Sequence, residues 1–312
     1  MRALVDRHHS DLFYAIQRLF EDRLGITVYT PIGHDWWDAG YWRFGEGWGD
    51  DRLAQQFLNP DPFVGGVTYD QHHPARAVRG LTLAEAEGPW DYVIATVQDN
   101  QRGFRRFADE HGAKYAVWVG NVRQDIDHAL NPIILDLPQE FDHTTTFRFR
   151  KPVTQARITS FVNLLPRIPD AWAGFDGLRS RLPYEFRSFG HECPDGFRDP
   201  VSAVADEMAE AGWAYHDKVT GDGFGHVIFD WAAVGRPLIG HARYYEGQRA
   251  EVFWVDGATC IDLDRHSLDE AAEIIAATSP EKHAAMCRAI RAILDATYDP
   301  AATAEIARGL LL

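Results

Sequence analysis

Hydrophobic and polar positions follow two patterns that alternate along most of the chain. Short apolar runs at 3–6 and 26–31 predict buried strands, and the segment 11–25 between them has its apolar residues at helical spacing. Ser10 is the expected N-cap of this helix and Gly25 its C-terminal stop. The chain therefore opens with a strand, a helix and a strand, the unit from which parallel sheets are built.

The same alternation returns later in the chain. Strands are expected at 92–97 and 114–121, on either side of a helix at 103–112. Ser267, with Glu270 three residues further on, has the sequence of a capping box at the start of a helix. In the second half the patterns predict strands at 185–190, 213–218, 236–242, 251–255 and 259–263, and helices at 199–212, 267–278 and 279–294. This order predicts an α/β protein with mostly parallel sheets.

Two stretches depart from the alternation. The segment 31–74 is rich in Gly, Trp and Asp, which predicts long loops with short helices, and 131–169 carries prolines typical of a crossing or linker segment. We therefore expect two facing Rossmann-like domains, at 1–155 and 156–290. A helical tail is expected at 291–312. One alternative is that this tail packs against the first domain.

Composition narrows the class of protein. The 312 residues are 46% hydrophobic and 25% charged, which excludes a disordered chain or a fibre. The apolar runs fall short of the roughly 20 residues of a membrane span, and the N-terminus lacks a secretory pattern. The net charge of −15 discourages non-specific binding to nucleic acid. Cys193, Cys260 and Cys287 are too widely spaced for a disulfide framework, so we expect buried thiols and a cytoplasmic protein.

The segment TGDGFGHVIFDWAAVGRPLIG, at 220–240, carries the most chemistry. Its glycines lie between a predicted strand and a predicted helix, where backbone can approach a ligand closely and helix N–H groups can bind an anion. Asp222 lies on the expected loop, and Asp230 about two turns into the expected helix. A glycine turn followed by solvated acids is the alternative interpretation.

This segment resembles the donor-binding motif of retaining glycosyltransferases with the two-domain GT-B fold. That motif is an acid, any residue, Phe, Gly, four residues and a second acid, followed by an Ala, a Gly and a Pro at fixed offsets. The family has Glu at both acidic positions, so each carboxylate here is one methylene shorter. The resemblance covers the segment 220–240, and the chain matches it at Asp222, Phe224, Gly225, Asp230, Ala233, Gly235 and Pro237.

The resemblance implies a site for a nucleotide-sugar donor. Asp222 would contact hydroxyls of the transferred sugar, and Asp230 would accept hydrogen bonds from the donor ribose. The sugar and diphosphate would meet backbone groups of the loop and helix start, at Gly223, Phe224, Gly225 and His226.

The resemblance also implies that a positive side chain, and no metal ion, holds the diphosphate. A cation close to a developing phosphate charge does this well. Lys218, just before the glycines, is the first candidate, and Arg198 and Arg187 are the next. His216 is either a donor-site residue or a buried strand histidine.

Candidate residues for the acceptor side follow the predicted strands of the first half. His8 and His9 are candidate bases, since an imidazole has an ordinary pKa near 6.5, although capping of the first helix is an alternative. We expect no metal site, because no third ligand has suitable spacing to this pair.

The aromatic loop at 31–51 has side chains that could stack on a sugar or a base. The alternative is that these rings anchor the loop to its domain. Further strand-end candidates are His34, Asp35, Asp99 and Asn121.

The leading hypothesis is a glycosyltransferase that moves a hexosyl or pentosyl group from a nucleotide sugar, without a cofactor and with retention of configuration. The donor phosphate would then take the acceptor proton, whereas an inverting enzyme would need a base such as His9 or Asp35. The acceptor stays open between a small molecule, a glycan and a nucleic acid. One alternative is a DNA-modifying glycosyltransferase that acts on a modified base, which the basic segment 147–152 allows. Another is a non-catalytic module that binds nucleotide sugars.

Overall fold

The structure, a computed structural model, describes residues 1–7, 9–42, 59–119, 126–219 and 224–312. The chain divides into two compact units. Unit 1 is Met1–Phe141 with Pro300–Leu312, and unit 2 is Asp142–Asp299. None of the helices in the described residues combines the length and the apolar character needed to cross a membrane.

The described strands of unit 1 form one sheet. They are β1 (Arg2–Val5), β2 (Thr27–Pro31), β3 (Val67–Tyr69), β4 (Ala77–Leu81), β5 (Tyr92–Ala95), β6 (Lys114–Trp118) and β7 (Ile133–Leu135). Their order is β3-β4-β2-β1-β5-β6-β7, and only the β3–β4 pair among them is antiparallel. The strand order reverses between β1 and β5, where Leu4 is in register with Val93. Such a switch point is where open α/β sheets bind ligands.

Unit 2 has a smaller sheet of the same type. Its described strands are β8 (Arg157–Ser160), β9 (Glu185–Ser188), β10 (Trp213–Tyr215), β11 (Leu238–Gly240) and β12 (Cys260–Asp262). They are all parallel, in the order β12-β11-β10-β8-β9. The reversal in this sheet lies between β8 and β10, where Ala214 is in register with Thr159.

Helices connect the strands of both sheets. In chain order the described α-helices are α1 (Ser10–Gln17), α2 (Asp35–Asp38), α3 (Gln101–His111), α4 (Pro169–Arg181), α5 (Val201–Glu210), α6 (His226–Val234), α7 (Leu268–Ala277), α8 (Pro280–Thr297) and α9 (Pro300–Leu311). A π-helical segment, Arg18–Arg23, extends α1. Short 3₁₀ segments are Ala84–Ala86, Gln98–Asn100, His128–Leu130, Leu165–Arg167, Ala242–Tyr245 and Arg249–Phe253.

The last helix, α9, belongs to the core of unit 1. Ala307 and Leu311 are buried in the same apolar cluster as Ile16 of α1 and Val28 of β2. The hydroxyl of Tyr92 donates a hydrogen bond to the carbonyl of Leu311 at 3.0 Å. The chain therefore returns to its first unit after completing the second.

Several local expectations were wrong. The segment 251–255 is not a strand, because Arg249–Phe253 is a 3₁₀ helix that buries Phe253. The apolar residues of this segment are compatible with the buried face of a strand and with that of a 3₁₀ helix. Ser10 is not the N-cap of α1: His9 takes that position, and the Ser10 hydroxyl donates to a carboxylate oxygen of Asp70 at 2.8 Å. Charge-assisted bonds of this kind are stronger than bonds to a neutral backbone group.

Other local expectations were confirmed or completed. Ser267 and Glu270 form the predicted capping box. The segment 131–169 is more than a linker, since it holds β7 and β8. In the aromatic loop Trp36 and Trp42 are buried in unit 1, so these two rings serve as anchors.

The three cysteines are buried free thiols. Burial raises the pKa of Cys287 to about 11 and also raises the pKa of Cys193 and Cys260. Thiols of this kind are inert, because the thiolate is the reactive form.

The fully buried Arg236 connects the end of α6 to other segments of unit 2 through hydrogen bonds. The guanidinium of Arg236 donates to the carbonyl oxygens of Val234 at 3.0 Å and Gly235 at 3.1 Å. It also donates to the carbonyls of Arg150 at 2.8 Å and Ala209 at 2.7 Å. Burial lowers the pKa of Arg236 to about 10, so the group stays charged at neutral pH and carbonyl dipoles stabilise its charge.

We expect Arg236→Met to lower the free energy of unfolding by about 3 kcal/mol, because it leaves buried carbonyls without a donor. Urea unfolding followed by tryptophan fluorescence measures the change. Arg288→Met, at an exposed position of α8, is the matched control and should stay within about 0.5 kcal/mol of the wild type. Equal stability of the two variants would contradict this role for Arg236.

Candidate functional site

Buried polar residues line the carboxyl ends of the strands in unit 2. β8 ends in Ser160, β9 in Ser188 and β12 in Asp262, while His216 and Asp217 follow β10. All five side chains are buried. Burying polar groups is unfavourable unless hydrogen bonds compensate for the lost water. Since open α/β sheets bind ligands at this edge, it is the candidate site of the unit.

Asp217 and His241 form a hydrogen-bonded pair at this edge. Asp217 is fully buried after β10, and His241 follows β11. The His241 Nδ1 atom lies 2.9 Å from Oδ1 and 3.0 Å from Oδ2 of Asp217, and the backbone N–H of His241 donates to Oδ1 at 3.2 Å. An ionised carboxylate only accepts, so Nδ1 carries the proton and Nε2 is left for another partner. The His241 side chain remains 20% exposed, and a ligand can reach it.

Sequence reasoning did not select this pair. Both residues lie inside predicted strands, 213–218 and 236–242, which end earlier in the structure than the apolar pattern indicates. The pairing depends on β10 and β11 being neighbours in the sheet. The signal in the sequence that could have identified Asp217 and His241 is that each is a polar residue at the end of an apolar run.

The helix of the glycine segment is buried from Ile228 to Val234. α6 begins after Gly225 and ends before Gly235, and these two residues have φ angles of +74° and +81°, which favour glycine. Asp230 is 9% exposed and lies between buried Phe229 and Trp231. It is little more than one turn from the start of α6, because the helix begins later than the sequence suggests. Asp230 is therefore not the solvated acid of the alternative interpretation.

Phe224 anchors the end of the glycine loop. Its ring stacks on Phe229 with 4.2 Å between centroids, and its edge meets His226, the first residue of α6, at 5.0 Å. Phe224 is buried, so any contact with a donor would come from its backbone. Asp222 and Gly223 lie outside the described residues.

Lys218 and His216 lie on either side of Asp217. Lys218 is half-buried, immediately before the glycine loop. His216 is buried, and its backbone N–H donates to the carbonyl of Ile239 at 2.9 Å, which continues the β10–β11 pairing. The structure thus places a cation and two imidazoles, those of His216 and His241, near the end of one pair of strands.

The two arginine candidates are engaged in ion pairs. Arg187 donates to Glu185 at 2.7 Å and to Asp195 at 2.8 Å, and these hydrogen bonds raise its pKa. Arg198 has a weaker contact, 3.4 Å from Nε to a carboxylate oxygen of Glu207. Arg187 is committed to two carboxylates, so Arg198 is the better of the two arginine candidates for a phosphate.

The switch point of unit 1 carries a buried acid that sequence reasoning treated as part of a strand. The Asp6 carboxylate follows β1 and accepts hydrogen bonds from the backbone N–H of Thr96 at 2.6 Å and from the amide of Asn100 at 2.9 Å. Both donors follow β5, so Asp6 ties the two central strands together. Burial raises the pKa of Asp6 from 3.8 to about 6.

The candidate acceptor-side residues are spread over unit 1. His9 is 57% exposed, with Nδ1 3.9 Å from a carboxylate oxygen of Asp11. The Asp35 carboxylate accepts the backbone N–H groups of Trp36 at 3.0 Å and Leu83 at 2.7 Å, so both of its oxygens hold the loop after β2. His34 is exposed.

Asp99 lines an open surface cavity of about 790 Å³ in unit 1. Its other described lining residues are Gly40, Gln98, Arg102, Gly103, Arg106 and Asp127. His8 and Asn121 lie outside the described residues.

Solved structures of glycosyltransferases share this architecture along the whole chain. An α-glucosyltransferase, AGT, in complex with UDP has a TM-score of 0.65 at 8% identity, covering 99% of this chain and 98% of that chain. HepE from Anabaena in complex with UDP-glucose has a TM-score of 0.62 at 12% identity, with 99% of both chains covered. Sucrose-phosphate synthase from Thermosynechococcus elongatus has a TM-score of 0.61 at 11% identity, covering 99% of this chain and 97% of that one.

The chain has the GT-B fold. The α/β class with parallel sheets that the sequence predicts is therefore confirmed. Neither a protein-family model nor a curated protein matches the sequence. At these identities the likeness concerns the GT-B fold itself, and chemistry has to be argued from the residues.

The raised pKa of Asp6 predicts a pH-dependent stability. The folded state keeps the proton to a higher pH than the unfolded chain, so stability from Asp6 is lost as the pH rises from about 4 to 6. Between pH 4.5 and 7.0 the wild type should lose about 2 kcal/mol more of its free energy of unfolding than Asp6→Asn does. Urea unfolding at both pH values measures this. Asp109→Asn, at an exposed position of α3, is the control and should track the wild type.

Proposed function

We propose that this protein is a glycosyltransferase that moves a hexosyl or pentosyl group from a nucleotide sugar to an acceptor. The observation that carries the proposal is Asp230, a carboxylate buried within α6 where the resembling motif has its ribose-binding acid. The polar row at the carboxyl ends of the unit 2 strands supports it. Further support comes from AGT and HepE, which share the fold and bind UDP or UDP-glucose in their structures.

The donor would bind along the carboxyl edge of the unit 2 sheet. Asp222 would contact the transferred sugar and Asp230 the ribose hydroxyls. Lys218 would hold the diphosphate, with Arg198 as the second cation. Negative charge grows on the diphosphate as the sugar–oxygen bond breaks, and a nearby ammonium stabilises that charge. We therefore propose a donor site that needs no metal ion.

His241 extends this donor site beyond the motif. Its ring orientation is fixed by the contacts of Nδ1 with the Asp217 carboxylate, which direct Nε2 away from that partner. A protonated His241 can donate a charge-assisted hydrogen bond from Nε2 to a phosphate oxygen. Asp217 would then act as a positioning residue, since it holds the ring without touching the donor.

Retention of configuration is the second part of the proposal. The donor phosphate would accept the acceptor proton, so no separate base is required. The hydrogen bonds of Asp35 support this, because they leave its carboxylate engaged with backbone N–H groups. Nothing in the described residues favours a nucleic-acid acceptor over a small molecule or a glycan. In the basic segment 147–152, for example, Arg150 already pairs with Asp206 at 2.6 Å.

Donor binding tests the role of Asp230. Isothermal titration with UDP-glucose and a panel of other nucleotide sugars should identify one donor for the wild type. We expect Asp230→Asn to weaken that donor by about 10- to 100-fold, because a hydrogen bond to a charged group is lost. Asp230→Glu, which restores the family's usual acid, should keep binding. Asp206→Asn, at an exposed acid of α5, is the control. Unchanged affinity in Asp230→Asn would contradict the assignment.

The stereochemical course tests retention. Proton NMR of the fresh product should show the same anomeric configuration as the donor. His9→Ala should then reduce turnover by less than about tenfold, whereas loss of a general base lowers rates by roughly 10²- to 10⁴-fold. An inverted product, together with near-complete loss of turnover at unchanged donor affinity, would identify His9 as a base and overturn retention.

A further inference from the structure

Three side chains with metal-ligand chemistry converge in unit 1, whereas the proposed donor residues belong to unit 2. Asp11 lies in the first turn of α1, and His72 and His73 lie in the segment after β3. The Nε2 atoms of His73 and His72 are 2.8 Å and 3.2 Å from the same carboxylate oxygen of Asp11. The three candidate ligand atoms all lie within 4.8 Å of one another.

The two imidazoles are held in place by their surroundings. The ring of His73 is buried and stacks on Tyr14, with 4.0 Å between centroids and 1° between planes. The backbone N–H of His72 donates to Asp70 at 2.8 Å, and Asp70 is in turn the ion-pair partner of Arg7. Stacking therefore fixes the ring of His73, and the hydrogen bond to Asp70 fixes the backbone from which the His72 ring projects.

The ligand set and its spacing suit one class of ion. Two imidazoles and a carboxylate are typical ligands of Zn²⁺ and related transition metals, whereas Mg²⁺ and Ca²⁺ prefer oxygen ligands throughout. Ligand atoms around a tetrahedral Zn²⁺ are about 3.3 Å apart, given bond lengths of about 2.0–2.1 Å. The two separations from the Asp11 oxygen, 2.8 Å and 3.2 Å, are close to this value, and the candidate ligand atoms of the two imidazoles lie within 4.8 Å of each other.

We propose that Asp11, His72 and His73 bind a divalent transition-metal ion of the Zn²⁺ type. Each imidazole would bind the ion through an unprotonated Nε2 with its remaining proton on Nδ1, and any further proton displaced by the ion would pass to solvent. Three protein ligands leave a fourth position for water or another small ligand. The ion would fasten the start of α1 to a segment 62 residues further along the chain. None of these three residues is among the proposed donor residues, so metal binding and donor binding are tested by separate measurements.

Direct metal binding tests the proposal. The full chain, without an affinity tag and freed of metal by a chelator that is then removed, is titrated with Zn²⁺ by calorimetry and with Co²⁺ by visible absorption. The wild type should bind one tight equivalent of Zn²⁺ and give Co²⁺ the visible bands of a low-coordinate site. Asp11→Asn and His73→Gln should each weaken Zn²⁺ binding by more than about 100-fold, since even outer-layer changes cost 10- to 100-fold.

The controls separate the site from surface histidines and from misfolding. His128→Gln, at an exposed histidine of unit 1, should bind Zn²⁺ like the wild type. Thermal unfolding without metal shows that each variant is folded. Asp11→Asn is the more conservative of the two substitutions, because Asp and Asn side chains have nearly the same shape. Equal Zn²⁺ affinity in the wild type and Asp11→Asn would overturn the proposal. UDP-glucose titrations of the metal-free protein report separately on the donor site.

Discussion

A carboxylate buried at the end of a strand must be supplied with hydrogen-bond donors, and both units meet this requirement from a neighbouring strand. Asp6 receives its donors from Thr96 and Asn100 after β5, and Asp217 receives them from His241 after β11. Each carboxylate therefore locks two strand ends together. The carboxyl edges of both sheets become polar and firmly held, which is the condition for placing a ligand there.

The donor site proposed for unit 2 depends on this arrangement. His241 is oriented by its hydrogen bonds with the buried Asp217, and Lys218 directly follows Asp217 in the chain. α6 begins at the same edge, with Gly225 in a conformation that most residues avoid. Arg236 then binds the carbonyls at the end of that helix. A row of polar groups, a cation and a helix start are thus fixed by backbone and burial before a ligand arrives.

Much of this was predictable from sequence, but long-range pairings were not. The resemblance of the glycine segment to a family motif predicted the GT-B fold, and such a motif is visible in a sequence because its residues lie close together in the chain. The pair Asp217–His241 joins residues 24 positions apart, and the Asp11–His73 contact spans 62 positions, so neither forms a local motif. The start of α4 was missed for another reason. Pro169 was taken as a sign of a linker, whereas proline also favours the first turn of a helix.

The central claim is that the carboxyl edge of the unit 2 sheet binds the nucleotide part of a sugar donor. A crystal structure of the protein with a nucleoside diphosphate tests it most directly. We expect the ribose at Asp230, with the diphosphate between Lys218, His241 and the start of α6. A nucleotide bound at the unit 1 edge near Asp6, with the unit 2 edge unchanged, would contradict it.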